Sequence, residues 1–198
     1  MAYTLLLNNE DCHMAEHDLS CLITYREKVG GSQFTVSLIT DMFLRGSKIL
    51  FFTAYASARE NFLEQIRGLE AKTAYIESPE RLESEKNTQM LMLKSGDERL
   101  FITAMHTLSD IHERVVLIKN IEVFSQEVFD ASLSLKKIIL SGNIDDCVAR
   151  QQICDKKYGT NIIFSQPEMA FAVSAPPLER YTGYLVGQGI NGPVSLQM

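Results

Sequence analysis

Cys21-Leu22-Ile23-Thr24-Tyr25, Lys28-Val29-Gly30-Gly31-Ser32-Gln33-Phe34-Thr35 and Lys48-Ile49-Leu50-Phe51-Phe52-Thr53 follow one another within residues 20–54, and their order decides the fold class. The first run is short, partly β-branched or aromatic, and bounded by polar residues, which reads as a buried strand. From Phe34 the apolar residues fall at Leu38, Ile39, Met42 and Phe43, the spacing of one helix face. Gly46 stands where a left-handed cap ends a helix. The third run is a second strand. Strand, glycine turn, helix and strand make one right-handed crossover of a parallel sheet, so the class is α/β.

A phosphate-binding loop belongs at such a strand-to-helix turn. Set against G-x-x-x-x-G-K-[ST], Lys28 falls on the first glycine, Gln33 on the second, Phe34 on the lysine and Thr35 on the last place. The hydroxyl that would meet magnesium is kept, and the cation that would meet the phosphates is replaced. Backbone N–H groups from Gly30, Gly31, Ser32 and Gln33, with the helix N-terminus behind them, still favour an anion. The plain alternative is an ordinary strand-to-helix turn.

Outward from this unit, the 198 residues fit one domain with a substantial core, and 45% hydrophobic with 22% charged residues is the balance of a soluble globular chain. A net charge of −6 gives no global basic field, so nucleic acid is not an indicated partner. The apolar runs near Ile49 and Val115 fall well short of the roughly 20 residues a membrane span needs. The start of the chain lacks a signal-peptide pattern, so the expected location is cytoplasmic. Cys12, Cys21, Cys147 and Cys154 show no C-x-x-C spacing and read as free thiols of a reducing compartment.

Near the start, Tyr3 to Leu7 reads as an edge strand. His13-Met14-Ala15-Glu16-His17 then spells H-x-x-E-H. On a helix, His13 and His17 would lie one turn apart and share a zinc while Glu16 activates its water. The segment is polar and runs at once into the Cys21 strand, so the expectation is a solvated turn and no metal. Ser57-Ala58-Arg59-Glu60 reads as a capping box before a helix with Phe62, Leu63 and Ile66 inward. Lys72 to Glu77 reads as a strand. Ser78-Pro79 opens a charged helix with Leu82, Met90 and Leu93 as its apolar points. Glu77, Glu80, Glu83 and Glu85 form a solvated acidic face. Leu100 to Thr103 reads as a strand, and His106 to His112 as a short helix.

Arg114-Val115-Val116-Leu117-Ile118-Lys119-Asn120 holds the most strongly buried strand, and Lys137-Ile138-Ile139-Leu140-Ser141-Gly142-Asn143 holds another. A glycine-turn strand, an hhhh strand ending in two polar residues and a strand ending Ser-Gly-Asn together resemble the core of RecA-like P-loop ATPases, with degenerate Walker A and Walker B motifs. The resemblance covers the layout of about residues 20–144. It implies a three-layer domain with a mainly parallel central sheet. In that family the hhhh strand ends in an acidic pair that holds magnesium and prepares the attacking water. Here Lys119 and Asn120 take those places, and Asn143 resembles the sensing residue of the next strand. Phosphate lysine and magnesium acid are both replaced, which implies a lapsed active site. Lys119 in turn offers a charge to the phosphates while repelling the metal.

Asp145-Asp146 reads as the cap of a helix ending at Gly159, Asn161 to Phe164 as a strand, and residues 167–177 as a proline-bounded loop displaying Met169, Phe171 and Val173. Arg180 to Val186 and Pro193 to Gln197 read as a C-terminal antiparallel hairpin. Its connection, Gly187 to Gly192, spells G-x-G-x-x-G but opens no helix, so it reads as a turn. One domain over 1–198 is expected, with a core at about 20–165 and the loop and hairpin at 166–198.

Three functions remain open on this reading. The first is a non-hydrolysing RecA-like domain serving as a structural or regulatory subunit of an oligomeric machine, with itself or related RecA-like ATPase subunits as partners. It would need no cofactor, binding ATP or phosphate weakly at most. The second is an ATPase in which Lys28 or Lys119 replaces the usual ligands. The third is a small zinc hydrolase built on His13, Glu16 and His17.

Overall fold

The computed structural model describes the backbone of residues 2–7, 10–15, 20–25, 31–132, 134–143, 160–164, 183–187 and 190–195, and the side chains of 20–23, 25, 31–132 and 134–143. In chain order the elements are β1 (Ala2–Leu7), β2 (Glu10–Ala15), β3 (Ser20–Tyr25), α1 (Gly31–Leu44), β4 (Ile49–Thr53), α2 (Ala56–Gln65), β5 (Thr73–Ile76) and α3 (Glu80–Ser84). There follow β6 (Met90–Leu93), α4 (Glu98–Thr107), β7 (Val115–Lys119), α5 (Gln126–Ser132), β8 (Ile138–Asn143), β9 (Thr160–Phe164), β10 (Gly183–Gly187) and β11 (Ile190–Ser195).

All the described strands join one sheet in the order β2-β1-β11-β10-β9-β3-β8-β7-β4-β6-β5. From β9 to β5 every adjacent pair is parallel. From β9 outward to β2 every pair is antiparallel, and β10 and β11 form the expected hairpin, Gly183 opposite Val194. The strand ending Ser-Gly-Asn lies between the glycine-turn strand and the hhhh strand.

Strand alternation sends side chains to opposite faces and so builds two cores. Cys21, Ile23, Ile49, Phe51, Val115 and Leu117 pack on one face with Phe34, Leu38, Ile39, Met42 and Phe43 of α1 and Phe62 of α2. Leu22, Leu50, Phe52, Val116, Ile118 and Leu140 pack on the other with Leu100, Phe101 and Ala104 of α4 and Val128 and Phe129 of α5. Phe52 stacks on Phe101 and Phe124, with ring centroids 4.8 and 4.6 Å away. Each fully buried Leu, Ile or Phe contributes about 1.5–3 kcal/mol of transfer free energy. Three layers, with a mainly parallel sheet in the middle, are thus the observed architecture.

Where α1 ends, Gly46 takes φ +91°, and the amides of Gly46 and Ser47 donate to the carbonyls of Phe43 and Met42. At the opposite end of the parallel strands from the glycine turn, Arg114 is fully buried. Its guanidinium donates to Asp110 Oδ1 at 3.0 Å and to the carbonyls of Ile49, Lys86, Thr88 and Gln89. Lys48 Nζ donates to Asp110 Oδ2 at 2.9 Å. Burial alone would raise the Asp110 carboxyl, but the hydrogen bonds and charges of Arg114 and Lys48 outweigh it and hold that carboxyl below its ordinary range.

Several expectations are corrected. Residues 3–7 are not at the edge, because β1 is flanked by β2 and β11. Helix α1 starts at Gly31, earlier than its apolar spacing suggests. The capping box is absent: Tyr55 takes the N-cap of α2 without a side-chain bond, and Ser57 lies inside the first turn. The charged helix stops at Ser84, and Met90 and Leu93 belong to β6. Four consecutive buried residues covered on both faces carry no alternation, so they imitate helix points. Leu100 to Thr103 is helical, because Asp97 caps α4 by accepting from Leu100 N at 3.1 Å and Leu100, Phe101 and Ala104 then share one face. At 111–113 the chain makes only a 3-10 turn. His13 lies on a strand opposite Thr4, so the helical stacking that a zinc-binding H-x-x-E-H needs is not the backbone form there, and Glu16 and His17 lie outside the described residues. The helix expected at 145–158 and the loop at 167–177 also lie outside them.

Candidate functional site

The carboxyl ends of β3, β4 and β7 and the first turn of α1 meet at one end of the parallel sheet, where open α/β sheets place their ligands. A cavity of about 450 Å³ opens there between α1 and α2. Its walls are Ser32, Gln33 and Val36 of α1, Tyr55 at the end of the β4–α2 turn, Ser57, Ala58, Asn61, Glu64 and Gln65 of α2, Lys119 at the end of β7 and Asn120 just after it. The lining is mostly hydroxyl and amide, with one carboxylate and one ammonium.

Lys119 is the last residue of β7 and only 3% exposed. Its Nζ donates to Ser32 Oγ at 2.7 Å and to Tyr25 Oη at 3.1 Å, and lies 5.5 Å from the centre of the Tyr25 ring. No carboxylate of the described residues pairs with it. The sheet places it there, since β7 ends level with the start of α1. Gly31 admits the approach of α1 to β3: a Cβ at that position would overlap the Tyr25 side chain.

Asn120 takes the left-handed conformation (φ 65°, ψ 48°), which asparagine tolerates better than most residues. Its Oδ1 accepts from Thr53 Oγ1 at 2.9 Å, and Thr53 Oγ1 accepts from Tyr55 N at 3.4 Å, so the β4–α2 turn is fastened to the end of β7. The next acid along, Glu122, is turned away from the cavity: its Oε2 accepts from the backbone N of Asn143 at 2.9 Å. Asn143 ends β8 and does not line the cavity.

Thr35 is fully buried. Its hydroxyl donates to the Gly31 carbonyl at 2.9 Å and lies 2.7 Å from Ser141 Oγ. A hydroxyl has one hydrogen, so Ser141 is the donor to Thr35. The threonine therefore bolts α1 to β8 and does not line the cavity. Of the expected site residues, Ser32, Gln33, Lys119 and Asn120 come together around the cavity, with Gly31 directly beneath. Thr35 holds α1 from behind the wall, and Asn143, whose backbone N is bonded to Glu122, lies away from the cavity. Lys28 and Gly30 lie outside the described residues.

Sequence reasoning missed Tyr25, Tyr55, Asn61, Glu64 and Gln65. Tyr25 had a signal, as the last residue of the strand feeding the loop. The α2 residues had none, because polar residues on a solvent face look alike until a neighbouring helix makes a cavity of them. Cys21 offers no nucleophile, since burial pushes its thiol up to about 12. Among the described residues no group of three or more His, Cys, Asp or Glu side chains is placed to hold a metal.

A RecA-like fold implies a magnesium nucleotide. The residues fit the phosphate half of that ligand, through Lys119, Ser32 and the start of α1. They do not fit the metal half: the acid's place carries an ammonium, the threonine hydroxyl is internally bonded, and Glu122 is engaged elsewhere.

No family model and no curated protein matches the chain. Solved structures do. The genome packaging NTPase B204 from Sulfolobus turreted icosahedral virus 2, in complex with AMP, superposes with a TM-score of 0.66 at 15% identity over 93% of this chain and 100% of its own. EccC (ATPases 2 and 3) from Thermomonospora curvata, in complex with a signal sequence peptide, gives 0.63 at 8% identity over 100% of this chain and 41% of its own. EssC (ATPases 2 and 3) from Geobacillus thermodenitrificans gives 0.52 at 13% identity over 98% and 40%. This chain therefore spans B204 whole and about two fifths of the EccC and EssC chains. The shared architecture is that of a RecA-like P-loop ATPase domain.

Proposed function

We propose that this chain is a RecA-like domain that does not hydrolyse nucleotide and serves as a structural or regulatory subunit of an oligomeric machine. One observation carries the reading: a buried lysine, Lys119, ends the strand where the family holds magnesium, and it is bonded to the start of α1 through Ser32. An ammonium and a divalent cation repel each other at that spacing. Phosphoryl transfer needs the metal to neutralise developing charge, so the first loss is turnover. Packaging and secretion, the work of the similar ATPases, suggest a machine that moves a polymer. The partners would be further copies of this chain or related RecA-like subunits. No described helix is long and apolar enough to cross a membrane.

Phosphate release from magnesium-ATP, measured on the purified chain alone and with added copies at high concentration, tests the proposal. Turnover at or above one per minute that Lys119→Met removes would refute it. Such a result would favour the second reading, an ATPase with unorthodox ligands, for which the observation is that Glu64 shares the cavity wall with Lys119. Light scattering tests the subunit role: a monomer at high concentration that recruits no RecA-like partner speaks against it.

A further inference from the structure

We infer that the cavity between α1 and α2 binds a phosphate group without magnesium, with the ammonium of Lys119 standing permanently in place of the metal. This rests on the reading of the site as non-hydrolysing and adds what the site does instead. A buried ammonium without a carboxylate is costly to keep, and the economical compensation is an anion. Lys119 has three N–H donors. Ser32 Oγ and Tyr25 Oη accept from it, neither of them charged, and the residue itself lines the cavity. Among the described residues nothing else takes the remaining donor or neutralises the charge, which leaves both to a ligand.

The surroundings select the chemical class. At the cavity floor α1 begins, a helix of 14 residues whose N-terminal amides favour negative charge. Ser32 is exposed, so its hydroxyl is within reach of a ligand as well as of Lys119. A cavity of about 450 Å³ has the size of sites for small organic ligands, large enough for a mononucleotide and larger than inorganic phosphate alone requires. Tyr55, 50% exposed at the wall, offers an aromatic face to whatever the phosphate carries. The ligand is therefore a small phosphate ester or free phosphate taken up metal-free. Magnesium should antagonise it, because a chelated phosphate has lost part of the negative charge that attracts Lys119 and brings a second cation beside the first.

Calorimetry on the full chain, with inorganic phosphate, AMP, ATP and adenosine as probes, each in EDTA and in excess magnesium, decides the matter. The phosphate-bearing probes should bind in EDTA, adenosine should not, and magnesium should weaken ATP by about tenfold or more. Tighter binding of AMP than of inorganic phosphate assigns an ester as the ligand, and equal binding assigns free phosphate. Lys119→Met, with folding checked by its thermal melt, should lower affinity by up to about a thousandfold, the loss of one unit charge a few ångströms from the phosphate. Lys119→Arg should keep most of the affinity. Glu64→Gln, an exposed change that does not threaten folding, should tighten binding a fewfold by removing the carboxylate from the wall. The inference fails if no phosphate-bearing probe binds in EDTA at millimolar concentration, if ATP binds only with magnesium, or if Glu64→Gln leaves affinity unchanged. The first of these leaves the non-hydrolysing reading standing, whereas turnover of magnesium-ATP overturns that reading by itself.

Discussion

Replacing Thr35 with valine keeps shape and β-branching while deleting the hydroxyl that joins α1 to β8. The Gly31 carbonyl keeps its helical backbone partner, so the stranded group is the Ser141 hydroxyl, fully buried and 2.7 Å from the lost oxygen. An orphaned buried hydroxyl costs about 1–3 kcal/mol, so Thr35→Val should destabilise by roughly 2 kcal/mol. For a domain of this size that lowers Tm by about 4–8 °C. Ser141→Ala alone should cost less, about 1 kcal/mol, because Thr35 still donates to Gly31. The pair together should cost less than Thr35→Val alone, since no orphan remains. Urea denaturation of the four proteins yields the coupling, expected at about 1 kcal/mol or more in magnitude. Were the hydroxyl instead turned toward a metal in the cavity, valine would be nearly neutral for stability. A change within about 0.5 kcal/mol of zero, or additivity in the double variant, would refute the reasoning.

Arg114→Met should destabilise by about 3–5 kcal/mol in the same assay, because it strands the carbonyls that the guanidinium gathers, and Arg114→Lys should recover only part of it. Asp110 has a folded-state pKa below its unfolded value, so its stabilising contribution is complete above about pH 4 and is lost as pH falls through the folded value; Asp110→Asn should flatten that acid limb of a stability–pH curve. Cys21 in the native protein should resist iodoacetamide at pH 8 and react only on unfolding, read by mass spectrometry of its peptide, because burial keeps the thiol protonated and out of reach.

The crossover unit was legible because its signals agree: a bounded apolar run, a helical stripe from Phe34 to Phe43 and a glycine that takes the left-handed form. The strands at 115–119 and 138–143 were legible for the same reason, each opening on an unbroken apolar run, Val115 to Ile118 and Ile138 to Leu140, buried on both faces. Met90 to Leu93 was misassigned because burial on both faces erases periodicity, and only its neighbours β4 and β5 say which element it is. Leu100 to Thr103 looked extended because the cap that starts its helix, Asp97, lies in a turn fixed by Gly96 at φ +73°. At the site, the sequence named Lys119 and Ser32 but not their contact. Thr35 was matched to a motif by position, yet its hydroxyl direction is set by Ser141, a partner no local pattern reveals.

The bonds around the cavity are the longest-range side-chain hydrogen bonds among the described residues: Lys119 to Tyr25 spans 94 positions and Thr35 to Ser141 spans 106. The neighbours of β3 in the sheet are β8 and β9, so a chain emerging from the ribosome must hold β3 without a strand partner until residue 138 has been made. Strands β4 to β7, with α2 to α4 between them, pair with one another over residues 49–119, leaving only the β8 side of β7 open, and can close first. Non-local closures of this kind are the slow ones, because the intervening chain must be ordered before any contact repays it. The site is thus assembled late in folding, when β3 docks against a sheet half already built. A substitution at Tyr25, Thr35 or Ser141 would then speed unfolding far more than it slowed the early folding of residues 49–119.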